Sequence, residues 1–133
     1  MPLTDVDSLG GSYVNWAIEP ATMGGKRFDD AITIQNGNGE NHGYRTNERY
    51  KSLTVTVGLD DDSAAYPATV TFLSGGGSED GGKTLKTVTA QINRPVKVTV
   101  DLTGVAILTI EGNEKGDAEY PRIALGDPVL HRP

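Results

Sequence analysis

The chain has 133 residues, 36% of them hydrophobic and 17 of them glycine, and a formal net charge of −6. That length supports one hydrophobic core; the acidic balance, with no basic stripe, excludes nucleic acid and offers no attraction to an anionic membrane surface. The absence of cysteine excludes disulfides, thiolate catalysis and cysteine-based zinc sites.

Modest apolar content with many glycines favours an all-β fold of short strands. No apolar run approaches the about 18 residues of a membrane-spanning helix. The start, Met1-Pro2-Leu3-Thr4-Asp5, has neither a basic region nor an apolar stretch, so no signal peptide is expected.

In chain order, Tyr13 to Ile18 reads as a first strand and Met23-Gly24-Gly25-Lys26 as a turn. Ala31 to Ile34 reads as a strand, Gln35 to Asn41 as a loop, and Gly43 to Thr46 as a short strand. Asn47-Glu48 turns into Tyr50 to Leu59, where Leu53, Val55, Val57 and Leu59 alternate with Thr or Gly. That period of two puts the four apolar side chains on one face of a strand. Asp60-Asp61-Asp62 then ends it in a polar loop. Ala68 to Phe72 alternates again, Ser74 to Gly82 is a Gly/Ser/acidic hairpin loop, and Thr84 to Ile92 is rich in Thr and Val. Val96 to Leu102 alternates cleanly. Val105 to Ile110 is apolar on both parities, which predicts a central strand covered on both faces. Ile123 to Leu130 closes the chain, with Pro121 and Pro128 at its ends or at an edge position. Eight to nine strands without a helix predict a single domain over 1–133, a two-sheet antiparallel β-sandwich of jelly-roll type.

Several groups carry candidate chemistry. Gly77 to Thr84 matches the phosphate-loop pattern G-x-x-x-x-G-K-[ST] after a strand. Such a loop needs a following helix, which Thr84, Thr87, Val88 and Thr89 disfavour; a hairpin is expected instead. Asp60, Asp61 and Asp62 present oxygens suited to Ca²⁺, or alternatively bind loop amides and hold a corner of the sandwich. Glu111, Asn113, Glu114, Asp117 and Glu119 form a second acidic group before the last strand. Trp16, the only tryptophan, could stack on a sugar ring or pack inside, as its parity with Val14 and Ile18 suggests. Tyr66 and Tyr120 precede prolines and are the better candidates for exposed aromatics. His42 and His131 are the only histidines, and nothing near His42 identifies a serine nucleophile.

Tyr44-Arg45-Thr46-Asn47-Glu48-Arg49-Tyr50-Lys51-Ser52-Leu53, running into Val57-Gly58-Leu59-Asp60-Asp61, resembles the signature of the NPCBM family of carbohydrate-binding modules. Ala21 to Phe28, Arg94 to Ile110 and Ala124 to Leu130 are similar to further blocks of that family in order and spacing. Many members carry a G-x-H-A turn before the Tyr strand, where this chain reads Asn36 to Asn41 and His42 falls later. The resemblance implies a galactose-binding-like jelly roll that is non-catalytic and binds a carbohydrate or cell-surface glycan through loops at one end. It also implies an extracellular or surface-exposed setting within a larger protein or assembly, and it admits a structural Ca²⁺; no other cofactor is expected. The expected glycan contacts, chosen for loop position and chemistry, are His42, Tyr44, Arg45, Tyr66 and Tyr120, with Asp60, Asp61 and Glu119 beside them. The expected cation ligands are Asp60, Asp61 and Asp62. The rival expectation is a structural or accessory component of an assembly, such as a virion or phage surface protein, using the same sandwich to contact other subunits. In neither case is an enzyme, a nucleic-acid partner or membrane insertion expected.

Overall fold

The alternation of Leu53, Val55, Val57 and Leu59 is realised in full: each side chain is at most 2% exposed, while Ser52, Thr54 and Thr56 between them are half-buried on the other face. In the computed structural model, which describes residues 1–6, 8–11, 16–34, 38–63, 67–76, 81–114 and 121–133, this strand is one of twelve. After a short 3-10 turn at Leu3–Asp5 come β1 (Ser8–Gly11), β2 (Trp16–Ile18), β3 (Ala21–Met23), β4 (Lys26–Phe28), β5 (Ala31–Ile34) and β6 (Asn38–Arg45). They are followed by β7 (Ser52–Leu59), β8 (Ala68–Ser74), β9 (Lys83–Ala90), β10 (Val96–Asp101), β11 (Ile107–Glu114) and β12 (Ile123–His131). Twelve strands exceed the eight or nine expected, because the region before Ala31 holds four short pieces rather than one.

The strands form two five-stranded antiparallel sheets, in the orders β1-β6-β11-β8-β9 and β10-β7-β12-β5-β2, plus the β3–β4 hairpin. The two sheets face each other across one core that includes Ile32, Ile34, Leu53, Phe72, Leu108 and Leu125. This is the jelly-roll sandwich expected from alternation. β11 is central, between β6 and β8, and Leu108, Thr109, Ile110 and Glu111 are all buried. The expected central strand is there, but it starts at Ile107, Ala106 is exposed, and its second buried face is made by Thr109 and Glu111 instead of apolar side chains.

Two placements differ from expectation, and the hairpin at the phosphate-loop pattern agrees with it. β6 starts at Asn38 instead of Gly43, so most of the expected Gly/Asn loop extends the ladder on β11, with Asn38 opposite Asn113. Pro128 lies inside β12, a central strand, and not at an edge. A bulge between Gly126 and Val129, with Asp127 at φ 47°, accommodates it, since a bulge spares the ladder the missing N–H. Lys83 and Thr84 open a strand, so no helix follows the phosphate-loop pattern; Ser74 pairs with Lys83 in a hairpin. Residues 77–80 of that pattern, and Tyr13 to Asn15 of the expected first strand, lie outside the described residues.

The β3–β4 hairpin lies on the outer face of the second sheet and seals a small apolar layer of Ala21, Met23, Phe28, Ala31 and Ala124. It can approach only because two sheet positions lack a side chain. A Cβ on Gly58 would sit 2.9 Å from Met23 Sδ, and one on Gly126 would sit 2.6 Å from the Phe28 ring.

Candidate functional site

Strand register gathers one set of connections at one end of the sandwich. Ile34 is opposite both Trp16 and Ile123, Leu59 is opposite Ile123, Glu114 is opposite Ala68, and Ala68 is opposite Ala90. The described ends of β2, β5, β7, β8, β9, β11 and β12 therefore lie together there. The joins after β6 and β10 belong to the other end, where Arg45 faces Ile107 and Ser52 faces Asp101.

The Asp run sits at the first end. The Asp60 carboxylate is 6% exposed and accepts a hydrogen bond from the Thr22 backbone N–H at 3.1 Å. Asp61 accepts from the N–H groups of Gly24 and Gly25, at 2.8 and 2.9 Å. The Asp61 N–H in turn donates to the Thr22 carbonyl at 2.8 Å. The Val-Gly-Leu-Asp-Asp block thus has a mechanical reading. Gly58 makes room for the hairpin, Asp61 ties its tip by satisfying two amides that a tight turn leaves unpaired, and Asp60 holds β3 through the Thr22 amide. Asp62 is exposed. The three do not form a shared cage, and no group of three or more His, Cys, Asp or Glu side chains suited to a metal occurs among the described residues.

A second network, which the sequence reading missed, borders this end. Arg122 donates to Glu19 through Nη2 and lies 3.6 Å from Asp60 Oδ2 through Nη1. Its backbone N–H donates to Ser63 Oγ at 2.7 Å. Glu19 also accepts from Thr33 Oγ1 at 2.7 Å, and this bond, seconded by Arg122, holds the Glu19 carboxyl below its ordinary 4.5. Arg122 therefore joins β2's exit, the loop after β7 and the start of β12. The only sequence signal was a lone arginine between Pro121 and the apolar run of β12.

The structure moves two expected glycan contacts from surface to core. His42 and Tyr44 are each 3% exposed. They share β6's inward parity opposite Ile110 and Leu108, so a period of two that buries one buries both. His42 stacks on Trp16, with ring centroids 4.9 Å apart and planes 14° from parallel, and Tyr44 tilts against His42 at 5.2 Å. Burial pushes the His42 imidazole below its ordinary 6.5. Trp16 is 7% exposed; it packs inside, as its expected parity suggested, although its parity mate Ile18 is 69% exposed. Arg45 is exposed, but it lies at the opposite end from the Asp run. Tyr66, Glu119 and Tyr120 lie outside the described residues. Of the three expected contacts that are described, His42 and Tyr44 meet inside the core and Arg45 lies on the surface at the other end. His131 hydrogen-bonds Thr54 Oγ1 through Nε2 at 2.9 Å.

The family model for the NPCBM/NEW2 domain matches residues 12–130. No curated protein sequence gives a significant match. Among solved structures, the chain is similar to CBM51 from Clostridium perfringens GH95, solved in complex with methyl-galactose, at 14% identity and a TM-score of 0.72 over 98% of each chain. It is similar to the tandem CBM51 modules of the family 98 glycoside hydrolase from Streptococcus pneumoniae, at 10% identity and a TM-score of 0.80, over 100% of this chain and 47% of that one. It is also similar to the M60 catalytic domain with the CBM51-1 and CBM51-2 domains of Clostridium perfringens ZmpB, at 14% identity and a TM-score of 0.76. That match covers 99% of this chain and 15% of the other. The chain thus spans less than half of each of the latter two structures, and at these identities the likeness establishes the fold.

Proposed function

The chain belongs to the NPCBM/NEW2 domain family, and we propose that it is a non-catalytic module that binds a carbohydrate or cell-surface glycan at the end of the sandwich bordered by Asp60 and Arg122. The observation that carries this reading is the full-length likeness to a CBM51 module solved with methyl-galactose, joined to the family match. The geometry supports it. The scaffold is two-layered, and described strand ends from both sheets converge at one end; connecting segments are where scaffolds place recognition. Tyr66 and Tyr120 fall in the segments after β7 and after β11 and are our candidates for stacking on a sugar ring. His42 does not act here as a general base, because it is buried against Trp16 and Tyr44.

The module's setting is extracellular or cell-surface, as part of a larger protein. No described helix is long and apolar enough to cross a membrane. All three matched structures are described as containing carbohydrate-binding modules, which favours this reading over a structural component of an assembly. A glycan array followed by calorimetry with methyl-galactose tests it. Binding to a defined sugar class, lost in a Tyr66→Ala/Tyr120→Ala double variant that still melts normally, is expected. Silence across the array would overturn it.

A further inference from the structure

The β3–β4 hairpin covers only part of the outer face of the second sheet, and the uncovered part is a groove of about 220 Å³. Its floor follows from the register. Lys97 of β10 is opposite Thr56 of β7, Thr56 is opposite Gly126 of β12, and the Phe28 ring stands on Gly126. In the next row Thr54 is opposite Val129. Lys26, His131 and Asp127 complete the lining.

The chemistry of this lining is unlike that of the chain as a whole. The protein carries a net charge of −6, yet the groove sets two ammonium groups, Lys26 and Lys97, against one carboxylate, Asp127. The ion pairs among the described residues involve only Arg27 and Arg122 as cations, so no described carboxylate lies within 4.0 Å of either lysine's ammonium. Lys26 is also positioned: its ammonium lies over the Phe28 ring, 5.1 Å from the centroid, where the quadrupole of a buried ring holds a cation. Beside Lys97, Thr56 offers a hydroxyl; Thr54 Oγ1 is held by His131 Nε2 at 2.9 Å, and Val129 offers a patch of apolar surface. Ammonium groups suit an oxyanion. A hydroxyl beside a small apolar floor suits the edge and face of a sugar ring. The volume is below the about 300–1,000 Å³ of drug-sized sites and suits a single substituted ring.

We propose that this groove binds an anionic saccharide residue, one bearing a sulfate or a carboxylate, at a second site on the sheet face distinct from the strand-end site. The inference takes its ligand class from the glycan-binding reading; its location stands on the groove alone. Both lysines are exposed, so the affinity is weak and falls with salt.

The test is a titration of the ¹⁵N-labelled protein at low ionic strength with galactose 6-sulfate, galacturonate, methyl-galactoside and sodium sulfate in parallel. The proposal expects amide shifts at Thr54, Thr56, Lys97 and Val129 with one or both charged sugars. Which of the two acts tells sulfate ester from carboxylate. A Lys26→Gln/Lys97→Gln double variant, with unchanged melting temperature, should weaken this binding about fivefold or more. The proposal is overturned if neither charged sugar shifts the groove amides, if the double variant binds as well as the parent, or if sodium sulfate alone reproduces the shifts, which would make this a bare anion site. Methyl-galactoside shifts near Asp60 and Arg122 report on the strand-end site independently. Their absence alongside groove binding would overturn only the strand-end reading.

Discussion

The same strands, β7 and β12, build a closed surface and an open one within a few residues. Where they carry Gly58 and Gly126, the hairpin descends until Met23 and Phe28 touch the sheet, and a second apolar layer forms. Where they carry Thr54, Thr56 and Val129, the side chains stand up, remain half-buried outside the apolar layer under the hairpin, and line a groove with two lysines. The difference teaches that the outer face is partitioned by side-chain volume at two glycines. The hairpin is then pinned at its tip by Asp61 and near its base by the Asp60–Thr22 bond.

The most damaging way to break this partition is to fill the glycine under Phe28. Gly126→Ala should destabilise by about 2–3 kcal/mol, because a Cβ at 2.6 Å from a buried ring forces the hairpin to shift. Gly58→Ala should cost less, about 1 kcal/mol, because its tightest contact is flexible Met23, which can move aside, while the Pro95 Cα at 3.3 Å must give by only a few tenths of an ångström. Urea unfolding of the two variants checks the order, and equal costs would show that the hairpin does not seat more rigidly at Phe28 than at Met23.

Asp60→Ala comes next. It strands the Thr22 amide and removes a carboxylate from Arg122 at a buried position, for about 2 kcal/mol. Asp61→Ala removes two hydrogen bonds donated by the Gly24 and Gly25 N–H groups at an exposed turn, for about 1 kcal/mol. It should speed hydrogen exchange at Gly24 and Gly25 while leaving the core amides protected. Uniform loss of protection would mean that the hairpin is not a separable unit.

A smaller effect is pH-dependent. His42 is held neutral by burial, so its folded pKa lies below the ordinary 6.5, and the unfolded chain binds a proton first as the pH falls. Stability from this group is full above about 6.5 and is lost as the pH drops from there through the lowered folded value. His42→Phe, which keeps an aromatic ring against Trp16, should flatten that slope in melting curves taken between pH 7 and 5. An unchanged slope would assign the dependence to other groups. Smallest is the response to Ca²⁺. With Asp60 and Asp61 engaged by backbone amides, added Ca²⁺ or EDTA should leave the melting temperature unchanged. A rise with Ca²⁺ that EDTA reverses would put a cation on Asp60, Asp61 and Asp62.

Much of this fold was legible because a two-residue period has one physical meaning in a half-buried strand. β10 and the inner face of β7 fall where alternation places them, and β5 spans the strand read at Ala31–Ile34 with both faces buried. The glycine turn at Gly24-Gly25 and the hairpin before Lys83 were legible from turn chemistry. The candidate site was much less so. His42 and Tyr44 looked like polar handles near a loop, but β6 extends further toward Asn38 than the Gly/Asn composition suggests. The ladder on β11 satisfies that backbone; the extension brings His42 into the strand, on the same inward parity as Tyr44, which lay in the expected strand already. Arg122, Glu19 and Thr33 were invisible because their meeting depends on strands that are neighbours only in space.

By itself the sequence determined the all-β class, the inward faces of its alternating strands and the family signature, because each is a local or order-dependent property that a linear chain displays. Only the tertiary structure decided which outward faces are covered, which carboxylates are spent on amides and which ends of the strands converge. Those depend on how close two backbones can come, and that distance is set at Gly58 and Gly126 by partners at Met23 and Phe28, far along the chain.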